Sequence, residues 1–250
     1  MGDNTDLLSK RYIDLSKQAN RKGIVIFSDF LNLNEQNVLD SVKKQLETPY
    51  RLFGGHPMAE RRVAAFVPDT IAYEWSYPIS CQKILPTYPK FSDVLTHRDV
   101  LGAVMNLGLE RGKIGDILGK ENTFYLFCKE NMEEYLVQSL SRIKHTTVTI
   151  QTVEQPETEI VPSFEEKEGI VTSNRIDSVI AAFCNISRGQ AVKLIAGGKV
   201  FVNGREILHN TYLCKEGEIF SVRTYGKYIF DGIMGETRKG RIKIAYRIYS

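Results

Sequence analysis

Residues 187–204, with the sequence SRGQAVKLIAGGKVFVNG, constrain the fold more tightly than any other stretch of the chain. They open with a Ser-x-x-Gln pattern, in which the Ser187 hydroxyl accepts a hydrogen bond from the Gln190 N–H and the Gln190 side chain accepts one from the Ser187 N–H. Such a reciprocal pair fixes the first turn of a helix. The pattern therefore predicts a short helix that begins directly after Ser187.

The same stretch also specifies the end of that helix and the two elements after it. Gly197 and Gly198 supply the positive φ with which a chain leaves a helix abruptly. The sequence VFV then predicts a short strand, and Asn203-Gly204 is the preferred pair for a two-residue type I′ hairpin turn. A helix, a strand and a tight turn therefore succeed one another within eighteen residues.

A second short helix is predicted immediately upstream, in NRIDSVIAAFCN. Its apolar residues recur at the i, i+3, i+4, i+7 spacing of a helix with one buried face, and they are Ile176, Val179, Ile180 and Phe183. Cations stand near the junctions of these short elements: Arg175, Arg188, Lys193, Lys199 and Arg205. Because the connections are tight, we expect the cations to converge on one surface.

Charge is divided unevenly along the chain. From Thr172 to the end there are 13 Lys and Arg against 6 Asp and Glu, whereas residues 1–171 carry 20 basic and 24 acidic residues. Such asymmetry indicates a polyanionic partner for the C-terminal part. On charge alone, a basic surface that only keeps the protein in solution is an equally good interpretation.

The C-terminal sequence closely resembles the S4 RNA-binding domain. The matching residues, in order, are Arg175-Ile176-Asp177, Ser187-Arg188, Leu194-Ile195, Gly198, Val200, Val202-Asn203-Gly204 and Gly217-Glu218-Ile219. So many matched positions make the resemblance far more specific than one short motif. It implies two helices and several strands that present a basic face to structured RNA. The residues that it places on the RNA face are Arg175, Arg188, Lys193, Lys199, Asn203 and Arg205, and the predicted RNA-binding site also includes Ser187 and Gln190.

The resemblance extends to the N-terminal part. The sequences GGHPMAERRVAAFVP (54–68) and THRDVLGAVMNLGLERGKIGDIL (96–118), together with the C-terminal position of the S4 domain, resemble the YlmH family of bacterial S4-domain proteins. Members of that family are RNA-binding proteins without catalytic activity that engage ribosomal and transfer RNA, and some relatives act on obstructed large ribosomal subunits. Their genes often lie beside cell-division genes. The resemblance implies a cytoplasmic monomer whose partners are structured RNA and the large ribosomal subunit.

The chain is predicted to contain three modules and a linker, so that its fold class is α+β. Residues 1–75 predict a small α+β module, with helices in LLSKRYIDLSKQA and NEQNVLDSVKKQL and a strand in RRVAAFV. Residues 76–152 predict a ferredoxin-like, RRM-like domain. Residues 153–170 contain two prolines and six glutamates, which predict an exposed acidic linker. Residues 171–250 complete the protein as the S4 domain.

The order of patterns in the middle module is β-α-β-β-α-β. Strands are predicted in PISCQKIL, KIGDIL, TFYLFCK and TTVTI, and a helix in MEEYLVQSLSRI. Thr96 and Asp99 form a capping pattern at the start of the other helix. This order is shared by many RNA-recognition domains and by many unrelated proteins, so it predicts the fold and leaves the function open.

Three motifs in the middle module imitate functional sites. Residues 97–99, His-Arg-Asp, resemble a kinase catalytic loop, but the companion kinase motifs are missing and helix capping is the better interpretation. Residues 111–115, RGKIG, imitate a KH-domain loop but precede strands, which favours a connecting turn with weak RNA contact as the alternative. Phe124, Tyr125 and Phe127 lack the full ribonucleoprotein signature, and packing in the core is the better interpretation.

No catalytic, metal-binding or cofactor-binding residue is predicted. The Arg-Ile-Asp triplet at 175–177 imitates the catalytic motif of pseudouridine synthases, but it lies inside the S4 match; Asp177 is better interpreted as a first-turn carboxylate that orients a neighbouring arginine. The four cysteines and four histidines lack the spacing of a metal site or a disulfide framework. We expect reduced thiols and no small-molecule substrate.

Two further functions compete with RNA binding. An RNA-modifying or aminoacylating enzyme could use the S4 domain to deliver its substrate, but the sequence contains no G-x-G-x-x-G, P-loop or synthetase motif. A scaffold linked to cell division could carry the basic face incidentally. No membrane role is expected, because the longest aliphatic runs are far too short to span a bilayer and the N-terminal residues do not resemble a signal peptide.

Overall fold

A computed structural model describes residues 2–156 and 164–249. The chain forms two compact units, Met1–Val161 and Pro162–Ser250. The first unit combines two antiparallel sheets with helices, and the second combines one antiparallel sheet with two helices, which confirms the predicted α+β class. The first two predicted modules lie in one compact unit, so the boundary at residue 75 stays a prediction.

The N-terminal module packs two helices on a three-stranded antiparallel sheet. Its elements are α1 (Gly2–Lys22), β1 (Ile26–Leu31), α2 (Leu33–Ser41), β2 (Tyr50–Phe53) and β3 (Arg62–Phe66), with strand order β1-β3-β2. Tyr12, Leu39 and Phe66 are buried together between helices and sheet. The predicted helices and β3 are confirmed, whereas β1 and β2 were not predicted. The sequence IFSDFL places the polar pair Ser28-Asp29 inside β1, which hides the alternation typical of a strand.

The middle module has the predicted ferredoxin-like topology. Its elements are β4 (Ile79–Pro86), α3 (His97–Asn106), β5 (Ile114–Lys120), β6 (Thr123–Lys129), α4 (Glu133–Ser139), β7 (Arg142–Ile143) and β8 (Thr146–Val153). The antiparallel sheet has the order β5-β6-β4-β8-β7. The last helix is shorter than predicted because the chain turns at Lys144, which has φ 52°, and Arg142–Ile143 pairs with the start of β8.

The two N-terminal sequence motifs meet inside the first unit. The Arg61 guanidinium donates hydrogen bonds to the carbonyl oxygens of Phe30 (3.0 Å) and Ile114 (2.9 Å). The Asp116 carboxylate accepts hydrogen bonds from the backbone N–H groups of Glu60 (2.7 Å) and Arg61 (3.2 Å). These contacts join the loop before β3 to β5. The motifs therefore have a structural role, which is to hold the N-terminal module against the ferredoxin-like sheet.

The C-terminal unit packs two helices on a six-stranded antiparallel sheet. Its elements are β9 (Phe164–Val171), α5 (Ile176–Phe183), α6 (Arg188–Ala196), β10 (Val200–Val202), β11 (Arg205–Glu206), β12 (Ile219–Val222), β13 (Gly226–Glu236) and β14 (Ile242–Tyr249). The strand order is β11-β10-β12-β13-β14-β9. The predicted helices, the VFV strand and the strand in IFSVR are confirmed, whereas β9, β13 and β14 were not predicted.

The acidic linker predicted for residues 153–170 is wrong for residues 164–170. These residues belong to β9, which pairs with β14 over its whole length, from Phe164 opposite Tyr249 to Val171 opposite Ile242. Because β9 is an edge strand, its glutamates stay exposed while the backbone pairs on one side. A glutamate-rich sequence is therefore compatible with this strand. Residues 157–163 of the predicted linker lie outside the described residues.

Candidate nucleic-acid interface

The helix pair of the C-terminal unit is anchored to the sheet by one aromatic side chain. The Phe183 ring stacks on Tyr228, with centroids 4.9 Å apart and planes 14° apart, and it lies 4.6 Å from Tyr246. Its edge contacts Phe220 at 5.5 Å. Aromatic pairs at these separations add to the apolar burial that holds two elements together. The frame that positions the predicted site is therefore a packed aromatic core.

The N-terminus of α6 carries the predicted capping box. The Gln190 N–H donates to Ser187 Oγ (3.2 Å), and the Ser187 N–H donates to Gln190 Oε1 (3.0 Å). Both residues are exposed, but these atoms are already engaged in fixing the helix start. Their first role is structural, since they fix the first turn of α6, from which the Arg188 side chain projects. RNA contact by Ser187 and Gln190 stays a prediction.

A buried carboxylate holds two of the predicted cations. The Asp177 side chain is only 3% exposed, and its Oδ2 accepts a 2.7 Å hydrogen bond from Arg188 Nε. Arg175 Nε lies 3.3 Å from Asp177 Oδ1. Arg188 is therefore held by a hydrogen bond, whereas Arg175 is held by an ion pair without hydrogen-bond geometry. The side chains of Arg175 and Arg188 are 36% and 49% exposed, so both are partly open to solvent. We call Arg175, Asp177 and Arg188 the Asp177 cluster; the predicted orienting role of Asp177 is confirmed.

The cations at the end of α6 are exposed and lie beside further basic residues. Lys193 and Lys199 are both exposed. The Arg223 N–H donates to the Lys199 carbonyl (2.9 Å), and the Arg223 guanidinium lies 5.1 Å from the centre of the Phe201 ring. A cation over an aromatic face is held by the ring's negative potential. Arg223 therefore extends the basic surface next to Lys199, and it was not among the predicted residues.

The helix stop differs from the prediction in one detail. Gly198 has φ 65°, as predicted, but Gly197 has φ −83° and does not need to be glycine for its backbone conformation. A Cβ on Gly198 would also lie very close to Glu206 Oε1, but this is the end of a flexible side chain that can move away. Only the second glycine supplies the positive φ, and the first lies in the ordinary region at the end of α6.

The predicted hairpin turn is confirmed and gives Asn203 a structural task. Asn203 and Gly204 have φ 47° and 75°, the two positive values that a type I′ turn requires. The Asn203 Oδ1 accepts a 2.9 Å hydrogen bond from the Ile219 N–H, so the side chain ties the turn to β12. Arg205 comes next, at the start of β11, and is exposed. RNA contact by Asn203 and Arg205 stays a prediction.

The structure brings some of the predicted residues together and leaves others to prediction. Arg175 and Arg188 meet at Asp177, and Lys199 lies beside Arg223. Convergence of all five predicted cations on one surface stays a prediction. The predicted site did not include the basic residues after the S4 motifs, although the dense RKGR sequence at 238–241 indicated them. These residues are Arg223, Lys227, Arg238, Lys239, Arg241, Lys243 and Arg247.

The middle-module motifs that resemble functional sites have structural roles. Residues 111–113 form a short 3₁₀ turn that leads into β5, as predicted. Phe124, Tyr125 and Phe127 are buried, which confirms packing in the core. Asp99 caps α3, and its hydrogen bonds from Lys144 and Thr96 lower the pKa of this carboxyl to about 2. The carboxylate therefore serves as part of the helix cap.

The described residues contain no group of three or more His, Cys, Asp or Glu side chains arranged to hold a metal ion. All four cysteines are free, and burial raises the pKa of the Cys81 and Cys128 thiols to about 12. In residues 2–156 and 164–249, no single helix is long and apolar enough to cross a membrane; α5 and α6 meet such a test only jointly, with a bend of 111° between them.

Comparison with known proteins agrees with these observations. Two family models match, "Putative RNA-binding domain in YlmH" at residues 75–157 and "S4 domain" at residues 174–220. The "Ribosome-associated protein quality control protein P2" of Bacillus subtilis is 28% identical over 88% of this chain and 85% of its own length. The solved "Cell division protein ylmH from Streptococcus pneumoniae" has a TM-score of 0.50 and 24% identity, covering 60% of this chain and 92% of its own, which shows a common fold. The chain thus combines a YlmH-type RNA-binding domain with an S4 domain, and these matches together support a YlmH-family S4 RNA-binding protein.

Proposed function

We propose that this protein binds structured ribosomal RNA through its S4 domain and acts without catalysis on the ribosome. The Asp177 cluster is the observation that carries this proposal, because it presents two oriented guanidinium groups beside a helix N-terminus. Guanidinium groups bind phosphate oxygens in a fixed, often bidentate geometry. Each arginine is partly open to solvent, so a phosphate can approach without breaking the contact to Asp177.

The position of the cluster favours phosphate in a second way. Arg188 is the first residue of α6, where the backbone N–H groups and the positive end of the helix dipole attract anions. Lys193 and Lys199, exposed on the same helix and at its exit, add charge without a fixed geometry. The arrangement suits the backbone of a folded RNA, in which phosphate contacts supply most of the affinity.

The ribosome enters the proposal through the named relative. A ribosome-associated quality-control protein is similar over most of both chains, which supports the same setting for this protein. We extend the proposal to a contact with the large subunit, with transfer RNA as a further ligand, and to a cytoplasmic monomer that acts in quality control or rescue.

Absence of catalysis is supported by the state of the one aspartate that imitates a catalytic residue. Both oxygens of Asp177 face arginines, and its side chain is buried. A nucleophile or base must reach its substrate, and this carboxylate is enclosed. Mass analysis of RNA nucleosides from cells with and without the protein tests this point. The loss of a single modified nucleoside would contradict the proposal and favour the enzyme.

The direct test of RNA binding uses cations that are exposed and do not touch Asp177. Lys193→Glu with Lys199→Glu should weaken binding to purified large ribosomal subunits at least tenfold, because two attractive charges become repulsive. Co-sedimentation measures the affinity. The matched control is Lys10→Glu with Lys17→Glu, which makes the same change of net charge on exposed positions of α1. If both double variants bind alike, only net charge matters and the S4 face is not the binding site.

A further inference from the structure

The last hairpin of the chain extends beyond β12, while β9 pairs with the other side of the hairpin as far as Ile242. β12 pairs with β13 only from Gly226 to Ile229, whereas β13 runs on to Glu236 and returns through β14. We call residues 233–243 the arm. The arm lies outside residues 75–157 and 174–220, where the family models match. Its role is therefore not covered by the S4 motifs.

The tip of the arm is closed by hydrogen bonds. The Thr237 N–H donates to the Arg241 carbonyl (2.7 Å), and the Gly240 N–H donates to the Thr237 carbonyl (2.9 Å). The Arg241 N–H donates to Thr237 Oγ1 (3.0 Å), and Gly240 takes the positive φ of 69° that the turn needs. Side chains at the tip therefore extend from an ordered backbone.

The arm is strongly basic and its charges have no local partner. Four cations are exposed against a single acidic residue, Glu236, and they are Arg238, Lys239, Arg241 and Lys243. Within residues 2–156 and 164–249, none of the four forms an ion pair. Arg247, further along β14, is instead paired: its guanidinium donates to both carboxylate oxygens of Asp231 at 2.6–3.0 Å. Unpaired cations on an ordered tip are complementary to a polyanion.

Two apolar residues at the base of the arm are also exposed. Ile233 and Met234 are 53% and 58% exposed, although Gly232 directly before them is buried. The register of β13 and β14 shifts between Ile233 and Gly235, so Met234 has no Cα partner on β14. The arm therefore has exposed apolar side chains near its base and cations at its tip. An exposed apolar pair bordered by charge is typical of a contact surface.

We propose that the arm is a second RNA-binding element, which contacts the phosphates of an A-form RNA helix. This inference rests on the proposed function. The minor groove of such a helix is wide and shallow and displays ribose and phosphate, which the turn at the tip of the arm can approach. The tip cations bind phosphates on the groove edges, and Ile233 and Met234 lie against ribose. The competing occupant is a protein strand added to the open edge of β13, where two register shifts interrupt the regular ladder.

The test measures the binding of three charge-reversal variants of the full chain to two probes. One probe is the purified large ribosomal subunit, and the other is a protein-free RNA hairpin duplex. The arm variant is Arg238→Glu, Lys239→Glu and Arg241→Glu. Its affinity for both probes should fall at least tenfold, and the slope of log affinity against log salt should decrease by about three, because each removed cation neutralises one phosphate in the complex. The S4 variant is Lys193→Glu with Lys199→Glu.

The control is Lys10→Glu, Lys17→Glu and Lys22→Glu on α1, which changes net charge equally at exposed positions. An arm variant that matches this control in affinity and salt slope would overturn the inference. An arm variant that binds the RNA duplex normally but loses binding to the subunit would also overturn it, and would indicate a protein strand as the partner of the arm. If the arm variant loses RNA affinity while the S4 variant binds normally, the proposed RNA binding through the S4 residues is refuted, and RNA binding by the arm is retained. The glutamine triple variant at the same three positions removes charge without repulsion and must show the same change of slope.

Discussion

The Asp177 cluster and the arm belong to the same unit, yet their cations are held in opposite ways. In the cluster, a buried carboxylate fixes two guanidinium groups and neutralises part of their charge. In the arm, the backbone is fixed by the hydrogen bonds of the tip, and the side chains keep their full charge. The cluster therefore provides geometry and the arm provides charge. A partner that needs both is a folded RNA, whose backbone is a polyanion with a defined shape.

Replacement of the buried carboxylate should have the largest effect on stability. Asp177→Asn leaves two guanidinium groups facing a neutral amide, and we expect the free energy of unfolding to fall by about 2 kcal/mol; this is below the cost of breaking a fully buried pair because both arginines are partly exposed. Urea unfolding followed by circular dichroism measures the change. Glu236→Gln in the arm, the matched acid-to-amide control, should change stability by less than about 0.5 kcal/mol.

Equal stability of Asp177→Asn and Glu236→Gln would remove the distinction between the two regions. It would mean that the orientation of Arg175 and Arg188 is set by the helix ends alone. The arm would then be the better-ordered cationic element of the two.

The two regions also differ in how far they could be predicted from the sequence. The cluster and the nearby hairpin turn depend on local rules: a capping box, a positive-φ glycine and an Asn-Gly pair act within a few residues of themselves. The arm depends on the pairing of β13 with β14, and the register shifts near Gly232 and Gly235 hide its alternation. β9 was missed for the same reason, since only its partner β14 makes a glutamate-rich segment into a strand.

Not every contact could be predicted even where the residue type was correct. The capping bonds of Ser187 and Gln190 were predicted from the sequence, whereas the hydrogen bond from the Ile219 N–H to the Asn203 side chain was not. Matching residues can have a folding role, a binding role or both, and only the contacts separate them. In the first unit, Arg61 and Asp116 are examples of motif residues whose contacts are internal.

Removal of the helix cap should have an intermediate effect. Ser187→Ala deletes the acceptor for the Gln190 N–H, and we expect a loss of about 1 kcal/mol in the free energy of unfolding. Because Arg188 is the next residue, the frayed first turn should also weaken RNA binding a few-fold. Urea unfolding and filter binding measure the two effects. Ser187→Asp, which keeps an acceptor at the cap, should restore stability; failure to do so would show that the cap does not fix α6.

Loss of one hydroxyl at the tip of the arm should have the smallest effect on stability, but it should still lower the affinity for RNA. Thr237→Val preserves the shape of the side chain and deletes the acceptor for the Arg241 N–H, a partly exposed hydrogen bond, so the free energy of unfolding should change by no more than about 0.5 kcal/mol. The tip becomes less ordered while its charge is unchanged. The salt slope of RNA binding should therefore equal that of the unaltered protein, whereas affinity should fall about twofold to threefold, since ordering the tip now opposes binding. Thr237→Ser keeps the hydroxyl and should bind normally. If Thr237→Val binds as tightly as the unaltered protein, order at the tip contributes nothing and the arm acts by charge alone.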